Sequence, residues 1–506
     1  MSAKDPSRIP VIIGVGQIND RADDPREGLD PVELMAEALR RADQDAGGDW
    51  LSQVESLAVV DQIAFRHLNP VVGAVAEALK ISPGHTYQTP LPMGDSPIML
   101  LNEAANRIGA GAVKVAAVVG AEALRTAAKL AALAKGGSPS DHNKMRARKK
   151  KTAASYPAQY GLVAPVDIYP LYENATRAAW EQSLGEGQAE SGVIWSLFSK
   201  VAAEHDGAWI REEKSAEEVC TPSATNRPIA FPYTKFMVAN SSVNQGAGFI
   251  VTSLAMARER GVPEDQIIYV GHGAAAHEHD DILQRDRYDY SAGMEVSLTE
   301  TLRLNQMTLD DIHHAELYSC FPCVPKMARR VIGWPEDREA TVFGGLTFGG
   351  GPIGNYMSHA VVAMVQKLRG DHESGGANGL LFANGGYATH NHSIVVSSRP
   401  LEAASFPQMF DYQDAADAKR DPTPMLDEQY EGAGTIESYT VFYNRDGSPR
   451  DGVVVARNPA GARFLAKVAG NNHAMIAFLT DGSSEPVGTE GTGERGDDGL
   501  LYWRSA

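Results

Sequence analysis

Two stretches of this chain, about 250 residues apart, repeat one order of elements: a tight turn, a helix, a buried strand and a closing glycine. In the first, Pro92-Met93-Gly94-Asp95-Ser96-Pro97 is followed by Ile98, Leu101, Ala105 and Ile108 at helical spacing. Gly109 and Gly111 end that run, and Val113-Lys114-Val115-Ala116-Ala117-Val118-Val119 then reads as a buried strand closed by Gly120. Asp95 or Ser96 is expected to cap the helix, with Pro97 in the first turn, where its missing N–H costs nothing. In the second stretch Gly349-Gly350-Gly351-Pro352-Ile353-Gly354-Asn355 makes the turn and 359–365 the helix. Gly379-Leu380-Leu381-Phe382-Ala383-Asn384-Gly385-Gly386 makes the strand and its glycine turn. Such a pair implies duplication of a whole α/β unit. In such units ligands meet the chain at the turn, where a helix N-terminus offers free N–H groups.

The rest of the chain fills in around these units. Ile9 to Gly16 reads as an opening strand, and Asp30-Pro31-Val32-Glu33 as a capping box with Pro in the first turn. Val54 to Val60 reads as a strand, and Asn69-Pro70 as a second cap-plus-Pro helix start. Strand and helix alternate to Gly120, which predicts α/β layering. From about Arg125 to Asn226 the alternation stops in a helical, polar stretch, and it resumes at Phe231. After Pro400 the composition changes again. Residues 405–430 read as loop, and apolar runs at 437–443, 453–455 and 474–479, each ending in a turn, predict a small antiparallel β domain of barrel-like rhythm.

With 506 residues, 43% of them hydrophobic, the chain has material for about three domains. A mean hydropathy of −0.26 and the lack of a long apolar run argue against a membrane span. The start, Met1-Ser2-Ala3-Lys4-Asp5-Pro6, lacks the apolar segment of a signal peptide, and three cysteines make no disulfide framework. Both fit a cytoplasmic protein. The net charge of −18 argues against nucleic-acid binding.

Against that acidic background Lys144, Arg146, Arg148, Lys149, Lys150 and Lys151 form one basic island, readable as a solvated face or as a phosphate-binding patch. His272, His277 and His279 lie near Glu278, Asp280 and Asp281, but their spacing matches no ligand signature, and no metal is expected. Gly349, Gly351 and Gly354 satisfy G-x-G-x-x-G with Pro352 inside it, a weak match that gives no case for a nicotinamide cofactor.

Taken together, Gly94-Asp95-Ser96-Pro97, Val119-Gly120-Ala121-Glu122, Val243-Asn244-Gln245-Gly246-Ala247, Glu316-Leu317-Tyr318-Ser319-Cys320-Phe321, Gly350-Gly351-Pro352-Ile353-Gly354 and Asn384-Gly385-Gly386 resemble the thiolase superfamily over about residues 8–400. With Asn226-Arg227, the run from Phe231 to Lys235 and the extra C-terminal β domain, the chain is most similar to the thiolase-like proteins of type 1. The resemblance implies a duplicated five-layer αβαβα fold. It divides as a first half (1–125 with 227–270), a helical insert (126–226), a second half (271–404) and an OB-like domain (405–506).

The resemblance also places the family's catalytic positions. The nucleophilic cysteine falls on Gly94, the histidine of Gly-His-Pro on Gly351, the acid/base cysteine on Phe382, and the Asn or His of the fourth loop on Tyr318. A glycine supplies no nucleophile, so the family's covalent mechanism is not expected. Gly94, Asp95, Ser96, Tyr318, Cys320, Gly350, Gly351, Pro352, Asn384, Gly385 and His390 remain as candidate substrate-binding residues, and the basic island as a candidate for CoA phosphates. Three readings stay open: binding of CoA or an acyl-CoA with the reaction lost; an acyltransferase or lyase using Tyr318, His390 and His392 as acid/base groups; and a structural partner of another acyl-CoA enzyme, docking through the C-terminal domain. No tightly bound cofactor is expected, and the chain is expected to be a monomer or a homodimer. The family's dimers pair through the strand matching Val113–Val119.

Overall fold

A computed structural model describes residues 5–134 and 155–505. The first half contributes β1 (Pro10–Asn19), α1 (Pro31–Asp45), β2 (Ser56–Val59), α2 (Val72–Leu79), β3 (His85–Gln88), α3 (Ser96–Ala110) and β4 (Val115–Ala123). The insert region holds α4 (Leu124–Ala134), α5 (Tyr156–Gln159), α6 (Pro165–Ala179), α7 (Leu184–Glu204), α8 (Ala216–Cys220) and the short strands β5 (Pro228–Ala230) and β6 (Tyr233–Thr234). The α/β layering resumes with β7 (Asn244–Ser253), α9 (Leu254–Glu259), β8 (Ile268–His277), α10 (Ala292–Leu304), β9 (His314–Leu317), α11 (Cys323–Ile332), α12 (Tyr356–Gly370), β10 (Asn378–Gly385) and β11 (His390–Ser397). The chain ends with α13 (Gln413–Asp417), β12 (Gly432–Tyr443), β13 (Pro449–Arg457), β14 (Arg463–Ala469), α14 (His473–Thr480), β15 (Glu490–Arg495) and β16 (Leu501–Ser505).

The duplication is explicit in the strand pairing. The order β3-β2-β4-β7-β1 in the first half is matched by β9-β10-β11-β8 in the second, and the halves meet where β1 pairs with β8. In each half the inner pair is antiparallel, as is the next, and the outer pair is parallel. The central strands are buried on both faces, so β4 is β-branched and small from Val115 to Ala121. Its Val115, Ala117 and Val119 face one core, with Leu34, Leu39 and Trp50, while Ala116 and Val118 face the other, with Ile98 and Leu101. Helices α3 and α12 form the middle layer, touching strands of both halves, with α1 outside one sheet and α10 outside the other. This is a five-layer αβαβα thiolase-like fold.

Five strands, β12-β13-β14-β16-β15, close into a barrel because β12 pairs with both β13 and β15. Strands β14 and β16 run parallel, and α14 lies between β14 and β15, an OB-like arrangement. Strand β5 adds to the outside of β12, pairing Ala230 with Phe442.

The structure overturns four local expectations. Ala474–Leu479 is not a strand but part of α14, whose first turn is capped by the Asn472 side chain. Its apolar residues satisfy both periods, and the barrel's geometry decides. Asn69 does not cap α2: its amide turns to Gln62, and the Gln88 Oε1 accepts the N–H groups of Val71 and Val72 instead. Neither Asp95 nor Ser96 caps α3 with its side chain, whereas the Asp30–Glu33 capping box of α1 forms as expected. Finally, β4 is flanked by β2 and β7, so it has no free edge for a second copy. Among the described residues no helix is long and apolar enough to cross a membrane.

Candidate functional site

The turn before α3 is buried from Gly94 onward, with Asp95 at 6% and Ser96 at 3% exposure. Gly94 has no room for a side chain. A Cβ built on it would fall against the Asn384 carbonyl oxygen and the Tyr318 hydroxyl. Tyr318 follows β9, its N–H donating to the Phe382 carbonyl at 3.1 Å, and its ring meets Tyr356 edge-on with centroids 5.8 Å apart. Burial keeps the Tyr318 phenol protonated well above the usual tyrosine range. Behind it, Glu316 accepts from the Tyr356 hydroxyl at 2.6 Å and the Thr341 hydroxyl at 2.8 Å, and burial pushes its carboxyl up to about 7.

Asn384, at the end of β10, donates to Asn391 Oδ1 at 2.9 Å and accepts from the Tyr169 hydroxyl at 3.2 Å. Tyr169 comes from the insert helix α6. Its hydroxyl also donates to the Gly386 carbonyl at 3.1 Å and accepts the Ala388 N–H at 3.0 Å, while its ring stacks on Phe321 at 4.4 Å. The sequence reading missed Tyr169; its only local signal is an aromatic at an apolar helix position of the insert. Cys320 and Cys323 are buried, and burial pushes the Cys320 thiol up to about 12 and Cys323 well above the usual thiol range.

The chain thus brings Gly94, Asp95, Tyr318, Cys320, Asn384 and Gly385 into one buried cluster. Gly385 is needed there, since a Cβ on it would stand 2.7 Å from Asp95 Oδ1. The other glycine turn lies alongside, Gly354 against Pro92 and Asn355 donating to the Gly120 carbonyl at 2.5 Å. Gly350, at φ +105°, packs on the Gln245 amide, and the Gly351 N–H donates to the Asn240 carbonyl at 2.8 Å. Pro352 and Phe382 are buried, and the Ser96 side chain is sealed in the turn.

The histidines divide. His390 begins β11 directly opposite His277 at the end of β8, with ring centroids 4.3 Å apart. Burial raises the Asp95 carboxyl, opposed by these two imidazoles. His392 faces the other way, against Phe410, and burial pulls it down to about 3. Of the histidine run, His272 accepts the Ser405 N–H at Nε2 and donates from Nδ1 to the Leu304 carbonyl, and His279 Nδ1 accepts the Asp281 N–H, so His277 is the member that joins the cluster. The basic island, Lys144 to Lys151, lies outside the described residues.

Residues 413–495 match the family model described as the thiolase-like protein type 1 additional C-terminal domain. Over its whole length the chain is similar to the crystal structure of a monomeric SCP2-thiolase-like protein type 1 from Mycobacterium smegmatis. The TM-score is 0.80 at 30% identity, covering 99% of this chain and 99% of that one. The Ltp2–ChsH2(DUF35) aldolase aligns with TM-score 0.59 at 16% identity, covering 78% of this chain and 99% of that one. Human mitochondrial 3-ketoacyl-CoA thiolase in complex with CoA aligns with TM-score 0.57 at 12% identity, covering 78% and 98%. These last two likenesses are of fold alone. No curated protein sequence matches the chain.

Proposed function

The chain belongs to the SCP2-thiolase-like protein type 1 family, and on that premise we propose that it binds CoA or an acyl-CoA without the cysteine-dependent acyl transfer of ordinary thiolases. The observation that carries this reading is the filling of the space beside Gly94 by the Tyr318 hydroxyl and the Asn384 carbonyl. Covalent transfer needs an activated nucleophile with a base beside it. Gly94 offers none, and the two nearby thiols are buried and protonated at neutral pH. What the turn retains is a hydrogen-bond donor, the protonated Tyr318 phenol beside Gly94, suited to a thioester oxygen. A human thiolase of this fold is described in complex with CoA, which supports the choice of ligand.

An acid/base reaction on the bound thioester is the second reading, favoured by the position of the protonated Tyr318 phenol at the turn. His392 takes no part in it, being buried and neutral, and His390 is the remaining imidazole candidate. A protein partner docking through the C-terminal barrel is compatible with either.

Calorimetric titration with CoA, acetyl-CoA and acetoacetyl-CoA, paired with a free-thiol assay, tests the proposal. Saturable binding without protein-dependent release of CoA is expected. Absence of binding by all three, or thiolysis of acetoacetyl-CoA by the purified chain, overturns it.

A further inference from the structure

We propose that Asp95, His277 and His390 form a binding site for a first-row divalent metal cation, with zinc as its probe. The three side chains come from distant parts of the chain: the turn before α3, the last residue of β8 and the first residue of β11. One ligand atom from each lies within 4.8 Å of the other two. Bonds of about 2.0–2.2 Å from nitrogen and carboxylate oxygen place tetrahedral ligands about 3.4 Å apart, so small side-chain rotations close this triangle onto an ion.

Three further features point to a cation. Asp95 is buried, yet its Oδ1 has no hydrogen-bond partner, and a buried carboxylate without partners is costly unless a cation compensates it. Asp95 is also freed for another role, because it occupies the N-cap position of α3 without capping it, and Gly385 makes way for its carboxylate. His277 and His390 are register partners with rings 4.3 Å apart at 50°, well placed to share one ion.

The surroundings are acidic. The Asp280 carboxylate stands 3.4 Å from His390 Nε2, within reach as a further oxygen donor, and Asp411 adds negative charge next to His277. Two imidazoles and one carboxylate, with the exposed His277 leaving positions open to solvent, suit zinc, cobalt or iron in the divalent state rather than calcium or magnesium. The site would hold the cation beside the Gly94 turn, where it could polarise a carbonyl oxygen.

The test uses the untagged full-length chain, stripped with a chelator, then titrated calorimetrically with zinc and spectroscopically with cobalt. One saturable equivalent per chain is expected, with visible cobalt d–d absorption. His277→Ala and His390→Ala should each weaken zinc binding at least tenfold while leaving the metal-free circular dichroism spectrum unchanged. Asp95→Asn should do the same; should it fail to fold, the two histidine variants, at the margin of the core, still decide. No saturable binding, or binding unchanged in both histidine variants, overturns the proposal. Because the readout is metal binding itself, it stands or falls independently of the CoA titration.

Discussion

The Tyr318 hydroxyl and the Asn384 carbonyl close the space that any side chain on Gly94 would enter. Gly94→Ala should therefore destabilise the protein by about 1–3 kcal/mol, the usual cost of overpacking. Adding Tyr318→Phe should recover part of that loss, the Asn384 backbone oxygen retaining the rest. Thermal unfolding of the two variants and the parent checks this. A Gly94→Ala midpoint equal to the parent's refutes the packing account.

Lys326 on α11 is buried against Glu173 of the insert helix α6, with Nζ donating to Glu173 Oε1 at 2.5 Å and to the Gly187 carbonyl at 2.7 Å. The Tyr233 hydroxyl completes the group at Glu173 Oε2, 2.9 Å away. Removing one charge strands the other, so Lys326→Met should cost about 3–5 kcal/mol in denaturant unfolding. The double variant with Glu173→Gln should be closer to the parent than Lys326→Met alone. Additive losses would contradict a coupled pair.

His359 and His392 are fully buried, and burial lowers each from 6.5 to about 3. Unfolded, each binds a proton below 6.5; folded, it does not until about 3. Their stabilising contribution is therefore complete above 6.5 and is lost as pH falls towards 3, at up to about 1.4 kcal/mol per pH unit for each ring. Glu122 and Glu316 run the other way. Burial raises them from 4.5 to about 8 and about 7, so their contribution is complete below 4.5 and is lost as pH rises. Urea unfolding of His359→Gln and His392→Gln between pH 6.5 and 5 should show acid slopes smaller by about one proton each. Slopes identical to the parent's would mean that these rings are protonated in the native state.

The basic island bears on ligand affinity. In a chain of net charge −18, the CoA phosphates need a cationic patch, and Lys144, Arg146, Arg148, Lys149, Lys150 and Lys151 are the densest in the sequence. Replacing Arg148, Lys149, Lys150 and Lys151 with Ser should weaken CoA binding about tenfold, or roughly 1.4 kcal/mol, at low salt. The difference should shrink at high salt, where screening already weakens the parent. Equal affinities at low salt would identify the island as a solvated face.

The boundary near residue 404 is open to limited proteolysis. Met409 and Met425, at 75% and 80% exposure, mark the accessible stretch before the barrel, which is anchored by Arg463 donating to the Leu283 carbonyl at 2.6 Å and the Arg285 carbonyl at 2.7 Å. First cuts are expected between 405 and 431, leaving a stable C-terminal fragment. Even cleavage through 405–506 would place the boundary elsewhere.

The sequence by itself determined the duplicated layering. Buried central strands must be apolar on both faces, and the middle helices between two sheets must be small and apolar, so β4, β10, α3 and α12 announce themselves locally. The Asp30–Glu33 capping box is equally legible, because backbone chemistry within four residues sets it. Tertiary structure alone decided the rest. The run 474–479 fits either period, and only closure of β14 and β15 around it makes it a helix. Asp95 looks like a cap, but its carboxylate makes no cap and lies against Gly385, with His277 and His390 close by, all remote in sequence. Tyr169 reaches Asn384 across 215 residues, a contact that no local pattern encodes. Those pairings depend on how two sheets and an insert meet, and the free energy that selects them comes from long-range burial rather than from neighbouring residues.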